Sequence, residues 1–247
     1  MKKRIVSAND LTQYDDLADQ WWNPRGPFTA LSWIAAKRGE MIPPAAGPGA
    51  TLVDVACGGG LLHPHIQGKG YRHIGVDQSR RSLEVARAHG VDETVHTDVT
   101  KLPFDDGSVD VVVAGQCLEH FDEPYAVVAE CCRILRPGGF LLLDTIADTL
   151  LARVLIVTLT ENLPLPGMAL KGTHDHRLFI DRIRLALVAE HHGVPLRMYG
   201  LWPRATDLIP WFFGRKGTVR MATTKSTNVM FQAAGTKLAV PGARGRA

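Results

Sequence analysis

The chain has 247 residues, enough for one large α/β domain with a buried core or for two small domains. Hydrophobic residues make up 45% and charged residues 21%, an ordinary balance for a soluble globular protein. The formal net charge is only +3, and part of this excess lies at the two ends of the chain. Charge therefore gives no argument for a nucleic-acid partner.

The cysteine pattern and the first residues indicate where in the cell the protein is expected. The cysteines are Cys57, Cys117, Cys131 and Cys132. Their spacing fits neither a metal site nor a disulfide framework. The basic start is followed by a polar stretch, unlike a signal peptide, and no stretch approaches the roughly 20 apolar residues that span a bilayer. We expect a cytoplasmic protein, with surface contact to a membrane left open.

The first 48 residues predict a helical N-terminal cap. Apolar residues recur every three to four positions from Leu11 to Trp21, and a second helical stretch covers Ala30–Met41. The helical stretch ends at Pro43-Pro44, and Gly47-Pro48-Gly49 forms a linker.

Residues 49–147 alternate short apolar strands with helical stretches. The predicted strands are Thr51–Ala56, Arg72–Asp77, Thr94–Thr97, Val109–Ala114 and Phe140–Asp144. The predicted helices between them are Leu61–Gly68, Ser79–His89 and Glu123–Leu135. This alternation is typical of a parallel sheet covered on both faces. The predicted fold class is therefore α/β, with a Rossmann-like, mostly parallel sheet.

The rest of the chain is less regular. A lid insertion is expected at 148–180, with a helix at Thr149–Thr160 and a proline-rich run at Leu163–Pro166. Residues 181–234 should complete the sheet, and residues 235–247 should form a flexible tail. The predicted elements in this part are a helix at Phe179–His192 and strands at Leu196–Leu201 and Asn228–Ala233. We predict one domain in total.

The run Val53–Gly60 reads Val-Asp-Val-Ala-Cys-Gly-Gly-Gly and ends the first predicted strand. In an open α/β sheet, ligands bind beyond the carboxyl ends of the strands. Glycines there let the backbone approach a ligand, and the next helix presents unpaired N–H groups. Nicotinamide- and flavin-binding proteins also use such a turn. However, the third glycine of G-x-G-x-x-G would fall at His63, which argues against a dinucleotide.

Three acids lie at the ends of three successive predicted strands. Asp54 suits a cationic amino-acid group, Asp77 can accept both hydroxyls of a ribose, and Asp98 can accept an adenine amino group. Together they predict a pocket for S-adenosylmethionine (SAM). The alternative is a nucleotide-binding fold with another ligand.

Residues Thr51–Thr145 resemble the class I SAM-dependent methyltransferases. The shared signatures are Asp-Val-Ala-Cys-Gly-Gly-Gly, Gly-Val-Asp at 75–77, Leu-Pro-Phe at 102–104, Leu-Glu-His at 118–120 and Leu-Arg-Pro-Gly-Gly at 135–139. Ala56 departs from the family, which usually has its first glycine there. The expected cofactor-binding residues are Asp54, Ala56, Cys57, Gly58, Gly60, Asp77, Gln78, Asp98, Val99 and Gln116.

Three flanking segments narrow the resemblance. Tyr14–Trp22, Lys171–Ile180 and Ser226–Met230 are similar to segments of the polyprenyl-catechol O-methyltransferases of ubiquinone biosynthesis. This implies methyl transfer to a phenolic or catecholic hydroxyl of a small hydrophobic acceptor. Carbon methylation of a quinone precursor and SAM binding without catalysis remain alternatives. A nucleic-acid methyltransferase is disfavoured because no concentrated basic face or RNA-binding module is present.

Methyl transfer from a sulfonium is an in-line displacement, so the enzyme mainly positions the two partners. A phenol has a pKa of about 10, and a nearby base raises its reactive fraction. His120, after the fourth strand, is the first candidate base; its alternative role is packing or helix capping. His174 is the second, with Asp175 as its orienter; its alternative role is to hold the lid.

The family resemblance also implies an acidic residue three positions before the glutamate of Leu-Glu-His, giving a cluster able to hold Mg²⁺. This chain has Gln116 there. Since Mg²⁺ prefers charged oxygen ligands, we predict weak or absent metal dependence.

The segment 149–170 is strongly apolar. It is either a packed lid or a surface helix that touches a membrane or admits a greasy acceptor. Only Arg153 adds positive charge within its helix. Two aromatic groups are expected to cover the cofactor and to line the acceptor side. They are Trp21, Trp22, Phe28 and Trp33, and Trp202, Trp211, Phe212 and Phe213.

Overall fold

The computed structural model describes residue 9 and residues 12–160 and 172–239 of the chain. Within these residues the strands are β1 Thr51–Val55, β2 Arg72–Asp77, β3 Glu93–His96, β4 Val109–Gly115, β5 Leu135–Ile146, β6 Arg197–Pro203, β7 Met221–Thr224 and β8 Met230–Thr236. They form one sheet in the order β3-β2-β1-β4-β5-β8-β6-β7.

Helices connect the strands. They are α1 Thr12–Asp16, α2 Thr29–Met41, α3 His63–Ile66, α4 Arg80–Ala88, α5 Pro124–Ile134, α6 Leu150–Ala152, α7 Arg182–His191 and α8 Ala205–Phe212. Single 3₁₀ turns lie at Ala18–Gln20, Leu118–His120 and His176–Leu178, and a π-helical segment, Arg153–Thr160, continues α6.

The five strands β3-β2-β1-β4-β5 run parallel, and β8, β6 and β7 are each antiparallel to their neighbours. The predicted fold class is confirmed. The strand order reverses between β1 and β4, so the crevice beyond their carboxyl ends is where this type of sheet binds ligands.

Alternate side chains of the central strands enter two separate cores. On one face, Val53 and Val112 pack with residues of α5 and α7. On the other face, Leu52 and Val113 pack with Ile66 of α3. Burying each of these side chains contributes roughly 1.5–3 kcal/mol, so the strand ends that carry the site are held from both sides.

The structure differs from the sequence prediction mainly near the two ends. The single helix expected before Trp21 is broken into α1 and a 3₁₀ turn. Both α8 and β7 were missed, because α8 contains Pro210 and β7 is a short edge strand with polar residues. The expected tail begins as strand, since β8 continues to Thr236.

Two predictions fall outside the described residues. They are the proline-rich run at Leu163–Pro166 and the end of the tail, residues 240–247. In the described part of the chain, every helix is too short or too polar to cross a bilayer.

Candidate active site

A cavity of about 90 Å³ lies at the carboxyl ends of β1, β2 and β4. Its lining includes most of the residues that the sequence predicted to bind the cofactor: Asp54, Ala56, Cys57, Gly58, Asp77, Gln78 and Gln116. We call it the cofactor cavity. Gly60 belongs to the same turn, where its N–H donates to the carbonyl of Cys57 at 3.0 Å.

The glycine-rich turn needs left-handed backbone at several positions. The φ angle is 53° at Gly58 and 77° at Gly60, but also 54° at Ala56. A side chain at Gly58 would collide with Trp21, whose Cη2 atom would lie 2.4 Å from the added Cβ. The left-handed conformation costs a residue with a Cβ atom about 1–2 kcal/mol, so Ala56 introduces strain where the family usually has glycine.

Asp77 holds the turn and faces the cavity. One of its carboxylate oxygens accepts the N–H of Gly58 at 2.9 Å, and the other accepts the N–H of Ser79 at 2.8 Å. Burial raises the pKa of Asp77, while these backbone donors act in the opposite direction. Its remaining lone pairs can accept the ribose hydroxyls expected from the sequence.

Arg38 of α2 is a functional candidate that the sequence analysis missed. Its buried guanidinium donates to both carboxylate oxygens of Asp144, at 2.6 Å and 3.0 Å. It also packs directly on Gly115, where an added Cβ would lie 2.0 Å from the guanidinium carbon. Arg38 lies four residues after Ile34 and three after Ala35, on the buried side of α2. This helical spacing was the signal in the sequence that Arg38 is buried.

Arg38 and Asp54 line the cofactor cavity together. Asp54 is only 3% exposed. An arginine retains donors beyond the two that Asp144 accepts. A buried cation and a buried anion on the walls of one cavity can pair with the carboxylate and the ammonium of an amino acid.

Asp98 and Val99 do not line this cavity. Asp98 is exposed, and its carboxylate accepts the backbone N–H of Thr100 at 2.9 Å and the Thr100 hydroxyl at 2.8 Å. These two hydrogen bonds lower the pKa of Asp98. Val99 is buried in the core, so a role of either residue in adenine binding stays a prediction.

A second cavity of about 310 Å³ lies beside the first. We call it the acceptor cavity. Its walls come from α2, β5, the π-helical segment, β6, α8, β7 and β8, and they are mostly apolar. Typical lining residues are Phe28, Trp33, Ile146, Leu155, Ile156 and Met230. Such a lining fits a hydrophobic ring or chain, with a few polar groups to orient it.

Tyr14, Leu31, Gln116 and His120 line both cavities. The two spaces therefore meet at these residues. A group transferred from a ligand in one cavity to a ligand in the other must pass this junction.

His120 has both ring nitrogens engaged at the junction. Nδ1 lies 2.8 Å from Oδ1 of Asn9, which can only accept, so Nδ1 carries the proton. Nε2 is then unprotonated and accepts the hydroxyl of Tyr14 at 3.2 Å. Burial, helped by the nearby His174, lowers the pKa of His120 to about 3. The ring is therefore neutral at ordinary pH, with an unprotonated nitrogen at the junction.

His174 lies near His120, and the neighbouring Asp175 pairs with Arg177. The rings of the two histidines stack with centroids 5.4 Å apart, and His174 lines the acceptor cavity. The carboxylate of Asp175 caps the 3₁₀ turn and pairs with Arg177 through both of its oxygens. Asp175 thus stabilises its own loop, and its role as orienter of His174 stays a prediction.

Glu119 is the acidic member of a group of three side chains that could hold a metal ion. Glu119, His120 and His174 each offer one ligand atom, and these atoms lie within 4.8 Å of one another. Oε2 of Glu119 accepts the hydroxyl of Thr145 at 2.6 Å, while the buried Oε1 has no hydrogen-bond partner in the described residues. Burial raises the pKa of Glu119.

These residues do not fit the Mg²⁺ that the family resemblance implies. Mg²⁺ requires oxygen ligands, whereas the cluster offers one carboxylate and two imidazoles. The amide of Gln116, at the position of the missing acid, donates to Asp144 at 3.1 Å.

The aromatic residues divide between the two cavities. The indole N–H of Trp21 donates to the Ser82 hydroxyl at 3.0 Å, and that of Trp22 donates to the carbonyl of Gly59 at 2.9 Å. The N-terminal cap is thereby fastened over the glycine-rich turn. Phe28, Trp33 and Trp202 line the acceptor cavity instead. Trp211 is buried beneath Trp33, and Phe213 is exposed.

The sheet order, the glycine-rich turn and the acids at the strand ends define a SAM-dependent methyltransferase. Residues 53–143 match a family model described as a methyltransferase domain. A SAM-dependent methyltransferase from Thermotoga maritima has the same fold, with a TM-score of 0.63 at 18% identity over 91% of this chain and 96% of that one.

Two relatives carry the same name, ubiquinone biosynthesis O-methyltransferase. That of Thiobacillus denitrificans is 32% identical over 76% of this chain and 84% of its own length. That of Ralstonia nicotianae is 34% identical over 79% of this chain and 85% of its own length. The chain belongs to the family of ubiquinone biosynthesis O-methyltransferases, and its cofactor is SAM.

Proposed function

We propose that this enzyme transfers the methyl group of SAM to a phenolic or catecholic hydroxyl of a small, hydrophobic, quinol-like acceptor. The observation that carries the proposal is the meeting of two cavities, one with buried charged groups in its wall and one mostly apolar, at the unprotonated Nε2 of His120. The relatives named as O-methyltransferases support the choice of oxygen over carbon.

On the cofactor side, Arg38 is proposed to bind the carboxylate of SAM and Asp54 its ammonium. Asp77 would accept the ribose hydroxyls. These contacts fix the donor, which is the main catalytic contribution in an in-line displacement.

On the acceptor side, His120 is proposed to remove the proton of the reacting hydroxyl. The hydroxyl of Tyr14 now occupies Nε2, so an acceptor hydroxyl would take its place or pass its proton through it. His174 lies next to His120 and is the second candidate base. The buried Glu119 can balance the positive charge that a protonated histidine would bring.

The test is a panel of catechols and prenylated phenols incubated with SAM labelled in its methyl group. We expect label in an O-methyl ether of a hydrophobic catechol. Label bound to ring carbon would favour the alternative of carbon methylation, and SAM binding without turnover of any acceptor would favour a non-catalytic protein.

The proposed reaction needs no metal ion, or depends on one only weakly. Its support is the unsuitable donor set around Glu119 and the amide at Gln116 described above. Exhaustive chelation should leave most of the activity in place. Total loss of activity that added Mg²⁺ restores would contradict this.

The apolar segment that starts at α6 is proposed to admit the acceptor and to touch a membrane surface. Leu150 and Val154 are exposed, whereas Leu155 and Ile156 line the acceptor cavity. Replacing Leu150, Leu151 and Val154 by asparagine should reduce co-sedimentation with vesicles of mixed neutral and anionic lipid. The matched control replaces the exposed Ile183 and Leu187 of α7. Equal binding by both variants would count against the contact.

A further inference from the structure

Two buried histidines lie behind the cofactor cavity and are not part of its lining. His73 of β2 is 1% exposed, and His63, at the start of α3, is 8% exposed. Their rings stack in parallel, with an interplanar angle of 6°. His73 pairs with Leu52 in the sheet, two residues before Asp54, so the side chains of His73 and Asp54 emerge on the same face.

The side chains form a continuous line from the surface to Asp54. Nε2 of Gln67 lies 3.2 Å from Nε2 of His63, and Nδ1 of His63 lies 3.2 Å from Nδ1 of His73. Nε2 of His73 then lies 3.6 Å from Oδ2 of Asp54. The last separation is an ion–dipole contact rather than a hydrogen bond.

Only one arrangement of protons satisfies this line when both histidines are neutral. The amide nitrogen of Gln67 can only donate, so Nε2 of His63 must accept and its Nδ1 must carry the proton. That proton is donated to Nδ1 of His73. His73 therefore carries its own proton on Nε2, where it faces the carboxylate of Asp54.

We propose that His63 and His73 form a positioning relay that holds Asp54 toward the ammonium group of SAM. The inference rests on the proposed role of Asp54 in SAM binding. The opposite tautomer of His73 would turn a lone pair toward the carboxylate and repel it. By fixing the tautomer, Gln67 and His63 keep the N–H of His73 directed at Asp54, while Asp54 also lines the cofactor cavity.

The neighbouring contacts hold the two rings in place. The backbone N–H of His73 donates to Asp92 at 2.8 Å. Gly90 passes so close to His63 that an added Cβ would lie 2.9 Å from its Nε2. This packing keeps the two Nδ1 atoms at hydrogen-bond distance.

The first test compares ligands that do and do not contain the ammonium. Calorimetry on the full chain would measure the Kd of S-adenosylhomocysteine and of 5′-methylthioadenosine, which lacks the amino-acid part. For His73→Phe we expect the Kd of S-adenosylhomocysteine to rise about five- to tenfold, because the charged Asp54 loses its interaction with the N–H of His73. The affinity for methylthioadenosine and kcat at saturating SAM should not change. Equal weakening of both ligands would mean a merely structural role and overturn the relay.

A double-mutant cycle separates the relay from the role of Asp54. Asp54→Asn should itself weaken S-adenosylhomocysteine, and adding His73→Phe in that background should have no further effect. A full effect of His73→Phe in the Asp54→Asn background would overturn the relay. No effect of Asp54→Asn alone would instead refute the proposed role of Asp54, on which the relay depends.

A spectroscopic measurement tests the relay without His73→Phe, in case that variant does not fold. Nitrogen-15 NMR of the wild-type chain distinguishes histidine tautomers, and the exposed variant Gln67→Met removes only the outer donor. We expect the Nδ1–H form for His63 and the Nε2–H form for His73, with tautomer mixing in Gln67→Met. The Nδ1–H form for His73 in the wild type would overturn the proposal.

Discussion

The cofactor cavity and the acceptor cavity are built in opposite ways. The wall of the first carries buried charged groups, and two of them, Asp54 and Asp77, lie at the ends of the neighbouring strands β1 and β2. Asp77 is held by short-range contacts such as that with Ser79. The second is apolar and assembled from segments as distant in sequence as α2 and β8. The difference teaches that the acids and the glycine-rich turn of the donor site come with the sheet, with Arg38 added by α2. The acceptor site depends throughout on how distant segments of the chain fold together.

The largest expected effect concerns Arg38, for which two roles can be separated: stabilising the fold and binding SAM. Arg38→Met should lower the free energy of unfolding by about 3–5 kcal/mol, because it leaves Asp144 buried without its partner. Adding Asp144→Leu should restore much of the stability but not SAM binding, which we expect to stay about ten- to a hundredfold weaker. Urea unfolding and calorimetry measure the two quantities. Wild-type SAM affinity in the double variant would show that Arg38 serves the fold alone.

The junction of the cavities is tested by His120→Gln. Loss of a general base should lower kcat about 10²–10⁴-fold, with SAM affinity unchanged. The measurement is kcat from steady-state rates with a catechol that the wild-type enzyme methylates. His176→Gln, an exposed histidine beside His174, is the control and should keep full activity. A modest loss in His120→Gln with a large loss in His174→Gln would move the base to the second histidine.

Burial of His120 also predicts acid sensitivity. The pKa of His120 falls from 6.5 in the unfolded chain to about 3 in the folded protein. Its contribution to stability is therefore fully present above pH 6.5 and is lost as the pH falls toward 3. The slope should reach at most about 1.4 kcal/mol per pH unit. His120→Gln should flatten the dependence of the free energy of unfolding on pH between 6.5 and 4, and parallel curves for the two proteins would refute this.

The acceptor cavity is probed by two neighbouring residues of one helical segment. Leu155→Asn should raise the KM of a hydrophobic acceptor roughly tenfold, from the loss of about 1.5 kcal/mol of apolar burial. The KM of SAM should stay constant. Val154→Asn, on the exposed side of the same turn, should change neither constant. If both variants behave alike, the acceptor does not lie against this wall.

The smallest effect concerns the strain at Ala56. Ala56→Gly should raise the free energy of unfolding by roughly 0.5–1 kcal/mol, since glycine adopts the left-handed conformation without the Cβ clash. Ala186→Gly, inside α7, should instead lower it by about 1 kcal/mol. Denaturant titration distinguishes the two signs. A loss of stability in Ala56→Gly would show that the turn is not strained there.

The separation in sequence between interacting residues explains what the sequence could predict. Asp54, Asp77 and the glycines of the turn are found because the periodicity of the strands marks where each one ends. The spacing on α2 indicates that Arg38 is buried, but its partner Asp144 lies 106 residues away, and no local pattern reports that contact. The partnership of Asn9 with His120 spans 111 residues and escaped for the same reason.

Asp175 shows a further limit of sequence reasoning. It stands next to His174 in sequence, which favours an orienting role. In the fold, its carboxylate caps a turn and binds Arg177 two residues on, contacts that the sequence did not indicate. Adjacency in sequence does not set the direction of a side chain.

The central claim is that a methyl group passes from one cavity to the other beside His120. The most direct measurement is a crystal structure with S-adenosylhomocysteine and a hydrophobic catechol bound together. We expect one catechol oxygen between the sulfur and Nε2 of His120, at about 3 Å from that nitrogen. A catechol bound with a ring carbon facing the sulfur, or outside the apolar cavity, would contradict it.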